Sequence, residues 1–188
     1  MSEHPVFDGI LARRSIRRYL DRPVERDKVE LLLRAAMAAP SACNLQPWAF
    51  IVVDEPDGLD KVRAAAQGQY PAPLAVVCGV TKHIPWGGEG WRQDCGAAAQ
   101  NLMLEAAELG LGSVCIGGFD EEALRAALSI PAEVTPLCIL DIGYPADPRP
   151  PRSWYTEEAV HWQRYDAEKP RVLRTMDMLQ ADAAAGIL

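Results

Sequence analysis

The sequence is organised around one stretch, Ala39-Pro40-Ser41-Ala42-Cys43-Asn44-Leu45-Gln46-Pro47-Trp48. Before it, apolar residues in 28–38 recur at helical spacing, and Pro40 ends this predicted helix because proline lacks an N–H and disfavours helical geometry in the preceding residue. After it, Phe50-Ile51-Val52-Val53 is a largely β-branched run that is typical of a buried strand. The stretch is therefore predicted to be a loop held between two rigid elements.

The side chains of this loop suit the binding of a polar ligand. Ser41, Asn44 and Gln46 offer hydroxyl and amide groups without charge, and Pro40 and Pro47 stiffen the backbone that carries them. The alternative is a plain helix-to-strand connection, whose serine and asparagine satisfy their own backbone. Taken alone, the loop favours the second interpretation.

Length and composition limit what this chain can be. With 188 residues, of which 49% are hydrophobic and 24% charged, we expect a single domain over 1–188, with 166–188 as a C-terminal extension or helix. A net charge of −7 argues against a general nucleic-acid binder. Five scattered cysteines without C-x-x-C spacing suggest neither a zinc site nor a disulfide framework. With no signal-like start and no apolar run of membrane-spanning length, the sequence predicts a cytoplasmic protein without a membrane partner.

A cation cluster stands near the N-terminus of this acidic chain. Four arginines fall within six residues: Arg13, Arg14, Arg17 and Arg18. In an extended segment, alternation puts Arg13, Ser15 and Arg17 on one face, where two guanidinium groups and a hydroxyl would match the oxygens of a phosphate dianion. The alternative is a solvated basic run that pairs with acidic residues such as Asp21 or Glu25. The segment alone leaves both interpretations open.

Periodicity predicts the remaining elements. The sequence pattern favours helices over 6–12, 57–67, 91–109, 121–128 and 171–184, and strands over 74–80, 113–116 and 137–143. The segment 82–90 has the composition of a surface loop or lid, and its lone His83 has no neighbour in sequence that would make it a catalyst. Gly117 and Gly118 follow a strand, so their bare backbone either approaches a flat ligand or permits an awkward turn. From residue 146 the proline-rich sequence predicts an extended arm.

Several of these pieces occur together in a known order. They are Arg13-Arg14-Ser15-Ile16-Arg17, the 40–48 loop, Gly110-Leu111-Gly112-Ser113, Ile116-Gly117-Gly118-Phe119 and Gly143-Tyr144-Pro145. In this ordered combination, from about Val6 to Tyr165, the chain closely resembles the nitroreductase family of FMN-dependent oxidoreductases. The resemblance implies an α+β fold, with a central, mostly antiparallel sheet surrounded by helices and an extended C-terminal arm. It also implies a homodimer that holds FMN at the subunit interface.

The resemblance also implies cofactor-binding roles for individual residues. It places Arg13, Ser15 and Arg17 at the FMN phosphate and ribityl end, with Arg14 alongside through its backbone. Arg152, or alternatively Arg149, resembles the cation with which the C-terminal arm closes on the same phosphate.

The flavin ring has its own set of implied contacts. Four of these contacts come from a loop that the partner subunit lays against the ring: Pro40, Ser41, Ala42 and Asn44. Ile116, Gly117 and Gly118 match the strand end whose backbone N–H, that of Gly117, faces flavin N5; some relatives carry glutamate at the Gly117 position. Gln69 is the cofactor-binding candidate in the short segment 67–71, where the residue that usually reads the flavin's pyrimidine edge has no clear counterpart.

The function implied is NAD(P)H-dependent reduction of nitroaromatics, quinones or other electron-poor acceptors, by ping-pong hydride transfer through the flavin. Flavin N5 is then the reactive atom, so no catalytic side chain and no metal is expected. Three alternatives stay open: a specialised reductive dehalogenase or biosynthetic dehydrogenase, a non-catalytic protein that stores, delivers or senses FMN, and an arginine-rich interaction module without a cofactor.

Overall fold

The computed structural model describes residues 3–67, 70–81, 90–152, 155–170 and 174–184, except the side chains of residues 81 and 183. The chain divides into two units, Met1–Pro151 and Arg152–Leu188. The organisation of 1–188 as a single domain stays a prediction.

The first unit alternates helices and strands along the chain. Its helices are α1 (Pro5–Ala12), α2 (Arg26–Met37), α3 (Pro56–Ala65), α4 (Gly90–Glu108) and α5 (Glu121–Leu128). Its strands are β1 (Trp48–Val53), β2 (Leu74–Thr81), β3 (Gly112–Ile116) and β4 (Val134–Gly143). The predicted elements of this unit are all present, with ends that differ from the predicted ones by at most three residues and a helix α5 that coincides with its prediction.

The strands form a four-stranded sheet in the order β1-β2-β4-β3, and every neighbouring pair is antiparallel. One face packs on α2 and α4 through residues such as Leu32, Leu102 and Leu140. The other face packs with α3 and α5 through residues such as Val62 and Leu124. The predicted α+β fold, with an antiparallel sheet between helices, is confirmed.

The position of β1 differs from the prediction of a buried strand. Phe50, Ile51 and Val52 are only half-buried, and Val53 is the residue of this strand that is buried. The physical reason is that β1 is an edge strand, since among the described strands it pairs only with β2. A continuous β-branched run identifies a strand but does not reveal whether both of its edges are covered.

The arginine-rich segment is extended and runs beside β3. Ser15 forms a parallel bridge with Ser113, and the Ile16 N–H donates to the Ser113 carbonyl at 2.9 Å. Gly112 allows this close approach, because a Cβ there would lie 2.6 Å from the Ile16 side chain. The Tyr19 hydroxyl donates at 2.6 Å to the Ile16 carbonyl and lies 3.1 Å from the Asp141 carbonyl. The segment is thereby bonded to β3 through Ser15 and Ile16, and to β4 through Tyr19.

The second unit contains a 3₁₀ turn, Glu157–Ala159, and a last helix, α6 (Met176–Ala184). The predicted final helix over 171–184 thus begins later, although 171–173 lie outside the described residues. Within this unit, Asp182 accepts hydrogen bonds from Arg152, at 3.3 Å, and from Arg174. None of the helices in the described ranges combines the length and apolar character needed to cross a membrane.

Candidate functional site

Three arginines from opposite ends of the first unit line one cavity of about 320 Å³: Arg13, Arg14 and Arg149. Gly112 and Ser113, at the start of β3, form part of the same wall. Arg14 also donates a hydrogen bond to the Pro150 carbonyl, which ties the segment after β4 to the arginine-rich segment. Guanidinium groups concentrated around one cavity favour a ligand that carries a phosphate or another multivalent anion.

The predicted face of Arg13, Ser15 and Arg17 is only partly formed. Ser15 and Arg17 are not among the described residues that line the three-arginine cavity. Arg13 is the C-cap of α1 and already has extended backbone angles, with φ −63° and ψ 120°, so the extended segment begins with it. Arg17 instead lies over the Tyr70 ring, with 5.9 Å between its guanidinium carbon and the ring centroid. The arginines therefore form two groups along one segment.

The alternative role of a solvated cation applies to Arg18. This residue pairs with Asp147 at 2.7 Å, and both side chains are well exposed. The acidic partners suggested by the sequence are not used in this pair: Glu25 is paired with Arg22 at 2.7 Å. Arg18 thus serves as a matched surface control for its neighbour Arg17.

The two glycines that follow β3 differ in their surroundings. A Cβ on Gly118 would lie 2.5 Å from Gln67 Oε1, because the Gln67 N–H donates to the Gly118 carbonyl at 2.9 Å and the two segments run side by side. A Cβ on Gly117 would meet nothing within 4 Å, and this residue is exposed. Gly118 is therefore explained by packing, whereas Gly117 leaves its backbone open to a ligand. Ile116, before them, is buried.

The 40–47 loop contains a 3₁₀ turn, Ala42–Asn44, and has unusual backbone angles. Cys43, Asn44 and Gln46 have φ values of 49°, 55° and 48°. Ser41 stabilises this shape, since its Oγ accepts the Gln46 N–H at 3.0 Å. The Ser41 hydroxyl thus bonds to the backbone of its own loop, as expected for a helix-to-strand connection. Pro40, Ala42 and Asn44 are exposed.

Sequence reasoning missed the residue that ties this loop to the rest of the fold. Asp94, on α4, accepts the Ala42 N–H on Oδ1 at 3.1 Å. Its side chain is buried, and none of the described residues offers a hydrogen-bond partner to its Oδ2. The sequence contained a signal for this role, namely an acidic residue on the apolar face of a helix: Asp94 stands four residues before Ala98, on the apolar stripe of α4.

Cys115 is an exposed thiol on β3 that the sequence prediction did not assign to the site. A hydrogen bond with Cys138 and partial burial raise the pKa of Cys115 well above its ordinary value, although nearby Arg13 acts in the opposite direction. The thiol is therefore protonated at neutral pH and is a poor nucleophile. All five cysteines of the chain are free thiols.

The remaining predicted site residues lie outside the described residues or in the second unit. Gln69 lies outside the described residues, and so do 82–89, which include His83 and most of the proposed lid. Arg152 is the first residue of the second unit, where it pairs with Asp182, and its approach to a phosphate stays a prediction. Among the described residues, no group of three or more potential ligands could hold a metal ion.

The family model of the nitroreductase family matches residues 10–77 and 89–144, which is more than half of the chain. The chain belongs to the nitroreductase family. The two matched ranges contain the arginine-rich segment, the 40–47 loop and the strand end at Gly117. The resemblance that the sequence motifs indicated is therefore confirmed.

Individual nitroreductase relatives match over most of their length. A protein of Archaeoglobus fulgidus, assigned as NADH dehydrogenase/NAD(P)H nitroreductase, is 42% identical over 146 residues, or 73% of this chain and 84% of its own. A solved structure with the same assignment, from Bacteroides thetaiotaomicron, has a TM-score of 0.80 at 34% identity and covers 87% of this chain and 100% of its own. The FMN-dependent nitroreductase of Clostridium difficile R20291 has a TM-score of 0.76 at 31% identity, covering 85% of this chain and 99% of its own.

Proposed function

We propose that this chain is an FMN-dependent oxidoreductase that takes hydride from NAD(P)H and reduces nitroaromatic, quinone or other electron-poor acceptors in the cytoplasm. The observation that carries the proposal is the convergence of Arg13, Arg14 and Arg149 on one cavity, from opposite ends of a nitroreductase unit. The names of the relatives, NAD(P)H nitroreductase and FMN-dependent nitroreductase, support the same class of reaction.

The residues present fit FMN at both ends of a single strand. The three-arginine cavity, next to Ser113, supplies the positive charge that a phosphate dianion needs. Gly117 lies four residues further along, on the order of 13 Å at strand geometry, and its uncovered backbone admits a flat ring. β3 would therefore present its two ends to the two ends of one elongated ligand.

When bound, FMN would supply the hydride chemistry, and the chain would supply placement and electrostatics. An N–H from Gly117 directed at N5 would stabilise the charge of the reduced ring. The arginines would neutralise the phosphate and fix its register. Arg13, Arg14, Ser15, Arg17, Arg149 and Arg152 are proposed for the phosphate and ribityl end, and Pro40, Ser41, Ala42, Asn44, Gln69, Ile116, Gly117 and Gly118 for the ring.

We also propose that the chain acts as a homodimer with FMN at the subunit interface. Helix α1 supports this proposal, because none of its residues is buried and three of its large apolar residues are exposed: Val6 by 76%, Phe7 by 52% and Ile10 by 45%. An apolar helix face of this kind is typical of a surface that a second chain covers.

The first experiment measures the visible spectrum of the purified protein, and then NADH or NADPH oxidation with a quinone or a nitroaromatic acceptor. We expect a flavin spectrum, or uptake of added FMN, and steady-state turnover. A colourless preparation that takes up no FMN would overturn the proposal. Bound flavin without turnover would instead support a protein that stores, delivers or senses FMN.

A second experiment compares Arg17→Ala with Arg18→Ala in a flavin titration. Arg17 does not line the three-arginine cavity, so its proposed contact is with the ribityl end of FMN. Losing this charged donor should weaken FMN binding by tenfold or more for Arg17→Ala, at about 1.5 kcal/mol or above. Arg18→Ala removes only an exposed pair with Asp147, so it should change the affinity by about twofold at most. Equal, small effects would show that Arg17 is a surface cation too.

A further inference from the structure

The backbone of the 40–47 loop needs external support. Cys43, Asn44 and Gln46 all lie in the left-handed region. Asparagine tolerates that region, but cysteine and glutamine are kept there only when the surrounding structure holds them. Three hydrogen bonds, each at 3.0 Å, stay within the loop: Asn44 N–H to the Ser41 carbonyl, Leu45 N–H to the Ala42 carbonyl, and Gln46 N–H to Ser41 Oγ. They shape the turn but do not attach it to the sheet and helices.

The attachment comes from α4. Asp94 Oδ1 accepts the N–H of Ala42, the first residue of the 3₁₀ turn, across 52 positions of sequence. The Asp94 side chain is 8% exposed, so this hydrogen bond is made by a carboxylate that the fold has largely removed from water. A charge-assisted hydrogen bond in such surroundings is stronger than one at the surface.

The second oxygen of this carboxylate is unusual. Asp94 Oδ2 is buried, and it has no hydrogen-bond partner among the residues that the structure describes. Such a group costs free energy, and a neutral side chain would avoid the cost if packing were the sole requirement. The chain nevertheless keeps an acidic residue at a position of the apolar stripe, with one oxygen committed to the loop. This combination indicates a role for Asp94 beyond filling the helix interface.

We propose that Asp94 is a positioning residue that fixes the geometry of the 40–47 loop through the Ala42 N–H. The consequence for the ligand rests on the proposed function: the loop carries the side chains and backbone groups that meet the flavin, so its preformed shape raises FMN affinity. Asp94 itself is not required to touch the flavin. No other described side chain outside the loop bonds to the loop backbone over 41–46.

The test uses Asp94→Ala, Asp94→Asn and the control Asn101→Ala in the full chain. Asparagine keeps an oxygen that accepts the Ala42 N–H, and alanine does not. Asn101 is matched because it also lies on α4 and bonds to a backbone group, donating from Nδ2 to the Ala35 carbonyl of α2 at 3.2 Å. Its loss loosens the helix pair but removes no contact with the loop. A thermal melt of each variant first tests whether that variant folds.

The first readout is amide hydrogen exchange of the peptide that covers 41–48, which needs no flavin. We expect exchange about tenfold faster in Asp94→Ala, and near wild type in Asp94→Asn and Asn101→Ala. Wild-type exchange in Asp94→Ala would overturn the assignment. Equally fast exchange in Asp94→Asn or in Asn101→Ala would overturn it as well, since the acceptor oxygen or the loop contact is intact there.

The second readout is the FMN dissociation constant. We expect an increase of about tenfold for Asp94→Ala, and of about threefold or less for Asp94→Asn and Asn101→Ala. If exchange responds as expected but the affinity of Asp94→Ala is unchanged, the link from loop geometry to the flavin is wrong. If the wild type binds no FMN while the exchange series holds, the proposed function fails and the role of Asp94 in the loop stands.

Discussion

At the scale of single residues, the glycines along β3 show how one atom decides a role. Gly112 is in contact with Ile16, and a Cβ added to Gly112 would lie 2.6 Å from the Ile16 side chain. A Cβ added to Gly117 would have no atom within 4 Å. Neither residue has a positive φ, so an alanine is allowed at both by the backbone. The difference between them is therefore one of packing alone.

This difference predicts opposite effects for the two alanine variants. Gly112→Ala should lower the free energy of unfolding by about 1–3 kcal/mol, because it separates the arginine-rich segment from β3. Gly117→Ala should keep or slightly raise it, by about 0.4–1 kcal/mol, and yet weaken FMN binding if the ring lies on that backbone. Chemical denaturation and a flavin titration check both. Unchanged FMN affinity in Gly117→Ala would argue against a ring at this position.

Asp141 is the residue whose charge should make stability depend on pH. It lies on β4 beneath α3, 6% exposed, with Arg63, Tyr19 and Tyr70 as the titratable groups around it. Burial raises the pKa of Asp141 from 3.8 to about 7, and the Arg63 charge only partly opposes this. Between about pH 4 and 7, the folded protein therefore keeps a proton on Asp141 that the unfolded chain has released.

The sign follows from that proton. The free energy of unfolding should fall as pH rises from about 4 to 7, and Asp141→Asn should remove this fall. At pH 8 the variant should be more stable than wild type by roughly 2–4 kcal/mol, with little difference at pH 4. The control is Asp147→Asn, an exposed partner of Arg18. Denaturant titrations at several pH values test this, and parallel curves for Asp141→Asn and wild type would contradict it.

At the scale of elements, α5 depends on its cap and β4 on an irregularity. Asp120 accepts the Ala123 N–H at 3.0 Å, which satisfies one of the donors left free at the start of α5. In β4, Pro136 stands opposite Gly79, at the point where the register with β2 shifts. A proline is tolerated inside this strand because the regular ladder is interrupted there.

Removing the α5 cap should destabilise the protein by a moderate amount. Asp120→Ala should lower the free energy of unfolding by about 1 kcal/mol, within a range of about 0.5–2 kcal/mol. Glu122→Ala is the control, since that side chain lies in the same exposed first turn without a capping bond. Equal midpoints for the two variants in urea unfolding would show that the cap contributes nothing.

At the scale of the whole molecule, the exposed apolar face of α1 predicts association. We expect the 20.6 kDa chain to sediment at twice its mass. The double variant Phe7→Ser, Ile10→Ser should shift it toward the monomer and lower its FMN content, because the loop of a partner would then be missing from each site. Asp8→Asn, on the same helix, should leave the mass unchanged. A wild-type protein that sediments as a monomer at all concentrations would contradict the dimer.

Much of this protein follows from its sequence. Helical and strand periodicity depends on near neighbours, so α2, α4, α5 and the strands were predictable within a few residues, and the ordered motifs identified the family. Local patterns also placed the arginines on an extended segment. They did not decide that Arg14 and Arg149 share a cavity with Arg13.

Only the tertiary structure decided the roles that depend on distant segments. It separates Gly118, packed on Gln67, from the open Gly117, and it puts β1 at an edge of the sheet. It also joins Asp94 to Ala42 across 52 residues. Each of these outcomes is set by which surfaces meet when the chain closes on itself, and the identity of a neighbour in space is not encoded in the spacing of residues along one element.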